Sequence, residues 1–278
     1  MQATLHIFAG LVLPESGGSK NADDIAELYA LILVMALVVF LGVEGCLIWF
    51  LIRFKARRGR VAAQIHGNTR LEIGWTVGAA VILVFITVVT FIKLPAIKNP
   101  PASSIDAQGN KIASTTLVAS TDQPPPPKGS PKLTIVVDGQ QYVWRYQYPR
   151  QGDKDVFAYE EMVVPVGMTV VLDITADDVA HSWWIPKLGG KMDAVPGYTN
   201  HAWFKAEKPG VYAGQCAELC GRNHANMYAR VRAVPFPEYQ RWFDAQAAGI
   251  KAARLAGAAQ RAQIQKQQQQ AAQQSASQ

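Results

Sequence analysis

Cysteine is scarce in this chain. Three in 278 residues cannot build a disulfide framework, and no Cys-x-x-Cys-His run is present, so no c-type haem is attached to it. No Lys or Arg precedes the short apolar piece Ile7–Leu13, which argues against a signal peptide. The chain also lacks the evenly spread basic surface of a nucleic-acid binder. Its formal charge is +6, but the excess lies between two apolar runs and in the C-terminal tail, where it bears on topology and solubility. A mean hydropathy of +0.04 averages two unlike parts, an apolar N-terminal third and a polar remainder with strand-like alternation.

What is abundant is apolar sequence in two blocks. Leu28 to about Leu51 is nearly all apolar, long enough at about 1.5 Å per residue to cross a hydrocarbon core of about 30 Å. Trp75 to about Leu94 is long enough as well. Arg53, Lys55, Arg57, Arg58, Arg60 and Arg70 lie between or beside them, and the outer flanks carry few cations. The positive-inside rule puts this loop in the cytoplasm and both termini outside a bacterial plasma membrane. Asn21-Ala22-Asp23-Asp24 offers a cap to the first helix. Glu44 lies within the first span, where a carboxylate is costly unless neutral or paired. It points to packing against another membrane protein, with proton conduction as the alternative. Thr69-x-x-Glu72 has the form of a capping box at the start of the second span.

The expected organisation follows: an N-terminal outer tail, residues 1–27; a transmembrane hairpin, 28–95; a Pro-rich linker, 96–131, stiffened by Pro124–Pro127; a β-domain, 132–244; and an Ala/Gln-rich tail, 245–278, helical at first and disordered at its end. In the β-domain, Leu133, Ile135 and Val137 alternate with polar or outward positions, as do Val170, Leu172 and Ile174. Short strands around Ala202–Ala206, Val211–Ala213 and Met227–Val234, with Gly/Pro turns, predict a sandwich or barrel. Met227 shares a strand face with Ala229, Val231 and Ala233 and should point inward. Pro235-Phe236-Pro237-Glu238 opens a helix.

Two of the three cysteines fall in one loop, Cys216-Ala217-Glu218-Leu219-Cys220-Gly221-Arg222-Asn223-His224-Ala225-Asn226-Met227. Thiolate, imidazole and thioether together select copper or zinc over magnesium or calcium. A blue-copper site uses one Cys; here a second follows four residues later, so two thiolates can bridge two ions. A disulfide or a single-metal site is the competing reading. Asp178-Val179-Ala180-His181-Ser182-Trp183-Trp184-Ile185-Pro186 supplies a second imidazole just after a strand. His6, His66 and His201 read as ordinary polar residues.

These residues resemble a known family. His181-Ser182-Trp183, Asp193-Ala194-Val195-Pro196-Gly197, the run Gly214 to Met227 and the two-span hairpin are similar to subunit II of haem–copper cytochrome c oxidase, over about Leu28 to Asp244. The resemblance implies a membrane-anchored all-β protein: a two-helix transmembrane hairpin followed by a cupredoxin-like β-sandwich holding the dinuclear CuA centre. By position, Cys216 and Cys220 would bridge the two copper ions. His181 and His224 would complete one each, Met227 would be a weak axial ligand, and Glu218 would give its main-chain carbonyl. The Glu218 side chain would reach a magnesium ion shared with subunit I. Asp193 matches an acidic position near the same region, or is a turn residue. Glu72 matches the mouth of a proton path, against its reading as a cap.

The same resemblance implies an electron-transfer subunit of an aa3-type oxidase. Partners would be subunit I, subunit III, and cytochrome c or a membrane-bound c-type cytochrome as donor. Gly139 to Pro149 matches the family's aromatic segment, but Gln140 stands where His is usual and Tyr142 where Trp is usual. Tyr142 and Trp144 are the candidates for the point where electrons arrive, with packing as the competing role. Asp177 and Asp178 would form an acidic docking patch, or are strand-end turn residues. The ligand set argues against a quinol-oxidase subunit II. The hairpin, with no propeller domain, argues against nitrous-oxide reductase. A membrane-tethered copper-delivery protein is the competitor from another class.

Overall fold

The computed structural model describes residues 12–55, 66–111 and 131–276. The readings that fall on Arg57, Arg58, Arg60, the first part of the Ile7–Leu13 piece and Pro124–Pro127 lie outside the described residues.

Two long helices form first: α1, Lys20–Arg53, and α2, Thr69–Lys98. At about 1.5 Å per residue they are about 51 and 45 Å long. Both outrun the apolar blocks because polar flanks continue the helical ladder. Most of their apolar side chains are exposed, Val38, Phe40, Ile52, Phe91 and Ile92 among them, as expected of surface meant for lipid or another apolar partner. Glu44 is half-buried beside a groove between the two helices that Val39, Ile82 and Ile86 also line.

The helix starts differ from the sequence reading. Ser19, not Asn21, is the N-cap of α1, and its Oγ accepts a hydrogen bond from Lys205 N–H (3.1 Å). Asp23 sits inside the first turn and accepts from Gly17 N–H (2.6 Å). Asn68, not Thr69, caps α2, its side chain accepting from Leu71 N–H (3.3 Å). Glu72 Oε1 accepts from Asn68 N–H (3.4 Å), so the reciprocal bond of a capping box is made one residue out of the expected register.

Ten strands build the β-domain: β1 Lys132–Gln140, β2 Val143–Gln147, β3 Phe157–Tyr159, β4 Glu161–Pro165, β5 Thr169–Ala176, β6 His181–Trp184, β7 Met192–Ala194, β8 Asn200–Lys205, β9 Gly210–Cys216 and β10 Tyr228–Val234. They form two five-stranded sheets, ordered β3-β2-β1-β5-β8 and β4-β10-β9-β6-β7. The alternation read from sequence faces the core: Ile135, Val137, Val170, Leu172 and Ile174 are fully buried. Burial of such side chains stabilises the domain by about 1.5–3 kcal/mol each. Tyr148 clips the sheets together, its hydroxyl donating to Val163 O (2.9 Å) and accepting from Val163 N–H (2.7 Å). This is a cupredoxin-like β-sandwich carried on a helical hairpin.

The hairpin is fastened to strand β8. Asn21 Nδ2 donates to Trp203 O (3.0 Å), and Trp203 Nε1 donates to the carbonyls of Ile97 (3.1 Å) and Lys98 (2.9 Å). Part of the expected linker is packed rather than free. Ser103 is buried and its Oγ accepts from Thr169 N–H (2.9 Å), while Ile105 joins the core.

Helix α3, Phe236–Ala276, runs through residue 244 without a break and continues far beyond it. Tyr239, Phe243 and Ala247 are buried against the sandwich, and Lys251 and Arg254 pair with Asp153 (3.2 Å) and Asp155 (2.6 Å). Beyond these contacts, Ala, Gln, Lys and Arg supply high intrinsic helix propensity.

Candidate metal centre

The ligands predicted from sequence meet at one end of the second sheet because β9 has antiparallel neighbours on both sides. His181 is the first residue of β6 and Cys216 the last of β9, and these strands pair with Trp183 opposite Cys216. β10 begins beside the same end, with Tyr228 opposite Gln215 and Cys216 N–H donating to Met227 O (2.9 Å). The connection from β9 to β10 is the Cys216–Met227 loop. One strand start, one strand end and one loop thus face a common point.

Nearest contacts link the atoms in a row, bent so that His181 also lies within 4.8 Å of Cys220. His181 Nδ1 is 3.8 Å from Cys216 Sγ, Cys216 Sγ is 3.9 Å from Cys220 Sγ, and Cys220 Sγ is 3.6 Å from His224 Nδ1. Met227 Sδ lies 3.8 Å from Cys220 Sγ, and Glu218 O lies 3.2 Å from Cys216 Sγ. Two sulfurs each about 2.3 Å from one tetrahedral ion lie about 3.8 Å apart, so the spacing suits shared metal ligation. It is far from the S–S bond of about 2.05 Å in a disulfide. The donor set, thiolate, imidazole and thioether, fits copper. Ligand atoms of His181, Cys216 and Cys220 all lie within 4.8 Å of one another. His224 stands outside that tight group and joins through Cys220.

The surroundings hold this row still. His181, Cys216, Cys220 and Met227 are buried, and His224 is half-buried. Asp178 Oδ1 lies 2.9 Å from His181 Nε2, which leaves Nδ1 to face the sulfurs. Burial would raise the Asp178 carboxyl, but His181 and the N–H groups of Gln141 and Val179 outweigh it and hold it below its ordinary range. Burial, with the Cys216 thiol beside it, pushes the Cys220 thiol up to about 11. A bound metal ion replaces that proton.

Trp144 is fully buried, and its ring centre is 5.8 Å from that of His181. It packs behind the ligand and cannot touch a docked protein, which corrects its reading as a donor contact. A Cβ on Gly139 would lie 3.0 Å from both rings, so any larger residue there would press on Trp144 and His181. Tyr142 is half-buried at the β1–β2 turn, close to the ligand loop. Gln140 spans two carboxylates, its Nε2 donating to Asp138 (3.1 Å) and Asp177 (2.7 Å). Burial, then the Asp177 charge, pushes Asp138 up to about 6.

Other predicted residues stay outside the row. The Glu218 side chain is exposed although its carbonyl faces Cys216, and Leu219 beside it is 79% exposed. Asp193 is exposed, 3.6 Å from Lys191 Nζ. Glu72 lies at the start of α2, in the other half of the molecule. His201 lies 2.8 Å from Asp173, away from the row. Sequence reading gave no role to Gln141, whose side chain bonds to Cys220 from 79 positions away. Nothing local in the sequence signals that contact.

Two family descriptions match this chain. "Cytochrome C oxidase subunit II, transmembrane domain" covers residues 8–92, and "Cytochrome C oxidase subunit II, periplasmic domain" covers residues 156–234. Cytochrome c oxidase subunit 2 of Alkalihalophilus pseudofirmus is 38% identical over 224 residues, 79% of this chain and 57% of that protein. The chain thus spans little more than half of that relative's length. Cytochrome c oxidase subunit 2 of Cereibacter sphaeroides is 31% identical over 273 residues, 83% of this chain and 81% of that protein. The crystal structure of the periplasmic domain of cytochrome oxidase subunit II of Bradyrhizobium japonicum is 36% identical, covers 42% of this chain and 94% of that one, and superposes with a TM-score of 0.40. The two apolar helices, matched by the family's transmembrane description, make this a two-pass membrane protein. By its matched hairpin and β-domain, and by its identity to full-length relatives, the chain belongs to the cytochrome c oxidase subunit II family.

Proposed function

We propose that this chain holds a dinuclear CuA centre and serves as the electron-receiving subunit of an aa3-type cytochrome c oxidase, an oxidoreductase that reduces O2 and translocates protons. The observation that carries this reading is the row His181–Cys216–Cys220–His224, flanked by Met227 and the Glu218 carbonyl. A mononuclear site needs one tight set of four donors. Here a second imidazole, His224, meets Cys220 from outside the tight group of His181, Cys216 and Cys220, so the thiol pair has two imidazoles beside it, which suits two ions bridged by two thiolates.

When bound, the copper pair supplies one-electron redox chemistry. The chain does the rest. Cys216 and Cys220 would hold the pair with their thiolates, His181 and His224 with their imidazoles, Met227 with its thioether and Glu218 with its carbonyl. Asp178 orients His181, and burial in the sandwich keeps water from the sulfurs. A rigid, buried shell lets an electron arrive and leave with little rearrangement.

Electrons would come from cytochrome c or a membrane-bound c-type cytochrome, docking near Tyr142 and the carboxylates of Asp177 and Asp178. They would leave for haem a in subunit I, where the O2 chemistry takes place, with subunit III in the same assembly. The exposed Glu218 side chain and Leu219 suit burial against subunit I, with Glu218 on a magnesium ion and Asp193 nearby; a hard carboxylate oxygen suits that ion. The CuA domain and both termini would lie on the outer face of a bacterial plasma membrane, with the 54–68 loop inside.

The reading is tested by copper analysis and EPR of the full-length chain in detergent, free of subunit I. Two copper ions per chain, with a mixed-valence copper spectrum, are expected. A mononuclear copper spectrum, or a colourless protein, would exclude it. Glu72 would stand at the cytoplasmic mouth of a proton path into subunit I. Glu72→Ala should then slow turnover of the complex by far more than it lowers its melting temperature. Loss of thermal stability alone would leave Glu72 as a helix-start residue, the role its bond to Asn68 N–H supplies.

A further inference from the structure

Gln141 is exposed, carries no charge and lies outside the ligand row, yet it touches both segments that bring ligands. Its side-chain Nε2 donates to the carbonyl of Cys220 at 2.7 Å. Its own main-chain N–H donates to Asp178 Oδ2 at 2.7 Å, and Asp178 in turn holds His181 Nε2 at 2.9 Å. Gly221 completes the arrangement. It sits at φ +134°, a conformation that L side chains rarely adopt, and a Cβ there would lie 2.8 Å from Gln141 Nε2 and 2.6 Å from the Tyr142 hydroxyl. The bare backbone of Gly221 therefore lets the Gln141–Tyr142 turn lie directly on the ligand loop.

We propose that Gln141 is a positioning residue for the metal centre: it pins the Cys220 end of the ligand loop to the β1–β2 turn and gives that exposed turn a hydrogen-bonded route to a ligand sulfur. From the exposed amide the route crosses one hydrogen bond to the Cys220 carbonyl and then runs through Cα and Cβ to Sγ. Along it a one-electron donor at the surface is oxidised by one electron and the metal centre is reduced by one; no bond is made or broken and no proton moves. Loss of the hydrogen bond leaves a gap in this route and frees the Cys220–Gly221 peptide, which the pairing of β9 with β10 does not reach.

The electron route rests on copper being held by this loop, as proposed above; the pin does not. The test therefore has a copper-free arm. Full-length protein in detergent, wild type and Gln141→Leu, is compared by hydrogen–deuterium exchange without copper. Exchange over residues 220–224 should rise about tenfold in the variant, with β5 and β10 unchanged. Equal exchange at 220–224, or a rise spread over the whole β-domain, would overturn the pin. In the copper-loaded arm, reduction by a small inorganic one-electron donor is followed by stopped flow. The rate should fall about tenfold in Gln141→Leu, with the EPR spectrum still of the wild-type class. An unchanged rate would overturn the route. Absence of a copper spectrum in the wild type would instead count against the proposed function and leave the exchange result standing.

Discussion

Cys220→Ser in the full-length protein should weaken copper binding by more than about 100-fold and abolish the mixed-valence spectrum. Removing an outer-shell partner alone costs about 10–100-fold in metal affinity, and here a ligand is lost. Serine keeps the size and burial of Cys220, so the fold is preserved. Its oxygen is hard and stays protonated where a thiol would ionise on a soft metal. The geometry makes the loss larger than one ligand. Cys220 Sγ is the neighbour of Cys216 Sγ, His224 Nδ1 and Met227 Sδ, so the change disconnects the half of the row that contains His224. Titration with copper, read by absorbance and EPR, checks this alongside melting of the copper-free protein. Full copper retention at unchanged affinity would show that Cys220 is not a bridge.

Trp144→Ala should have the largest effect on stability, about 3–5 kcal/mol. The ring is fully buried in the first sheet and packs edge-on to His181, so its removal opens a cavity directly behind a ligand. For a domain of this size the melting temperature should fall by about 6–20 °C. Tyr142→Ala should behave in the opposite way. Tyr142 is half-buried at the turn beside Gly221, so its loss should leave melting and the copper spectrum little changed while slowing reduction by a docked cytochrome. Two aromatic residues two positions apart on one hairpin are thus assigned different work. Parallel effects of the two substitutions on melting and on reduction rate would refute that division.

The apolar runs, the period-two strands and the ligand loop were all legible in the linear chain, because each is a local pattern. Length and hydropathy mark a membrane span before any contact is known. Alternation marks which side of a strand is buried, and Leu172 and Val231 are buried as that rule requires. Cys216, Cys220, His224 and Met227 lie within twelve consecutive positions, so their convergence needs only a loop. Helix ends were less legible. Asn68 caps through a bond to Leu71 N–H, whereas Ser19 caps by position alone while its hydroxyl bonds a partner 186 residues away. In the tail, composition speaks to solubility and complexity, whereas helix formation follows residue propensity and the pairing of Lys251 and Arg254 with Asp153 and Asp155.

By itself the sequence determined the hairpin, the sandwich class and which soft side chains are the candidates for the metal centre. Only the tertiary structure decided that Trp144 is an internal support while Tyr142 is near the surface. It alone decided that Asp178 turns His181 toward the sulfurs, and that Gln141 reaches Cys220. The reason is physical. A side chain's type and spacing set what it can bind, but burial and hydrogen-bond partners are set by which strands become neighbours. The pairing of β6 with β9 and the close approach of the β1–β2 turn to Gly221 join segments about 35 and 80 residues apart, and no local pattern encodes such distances.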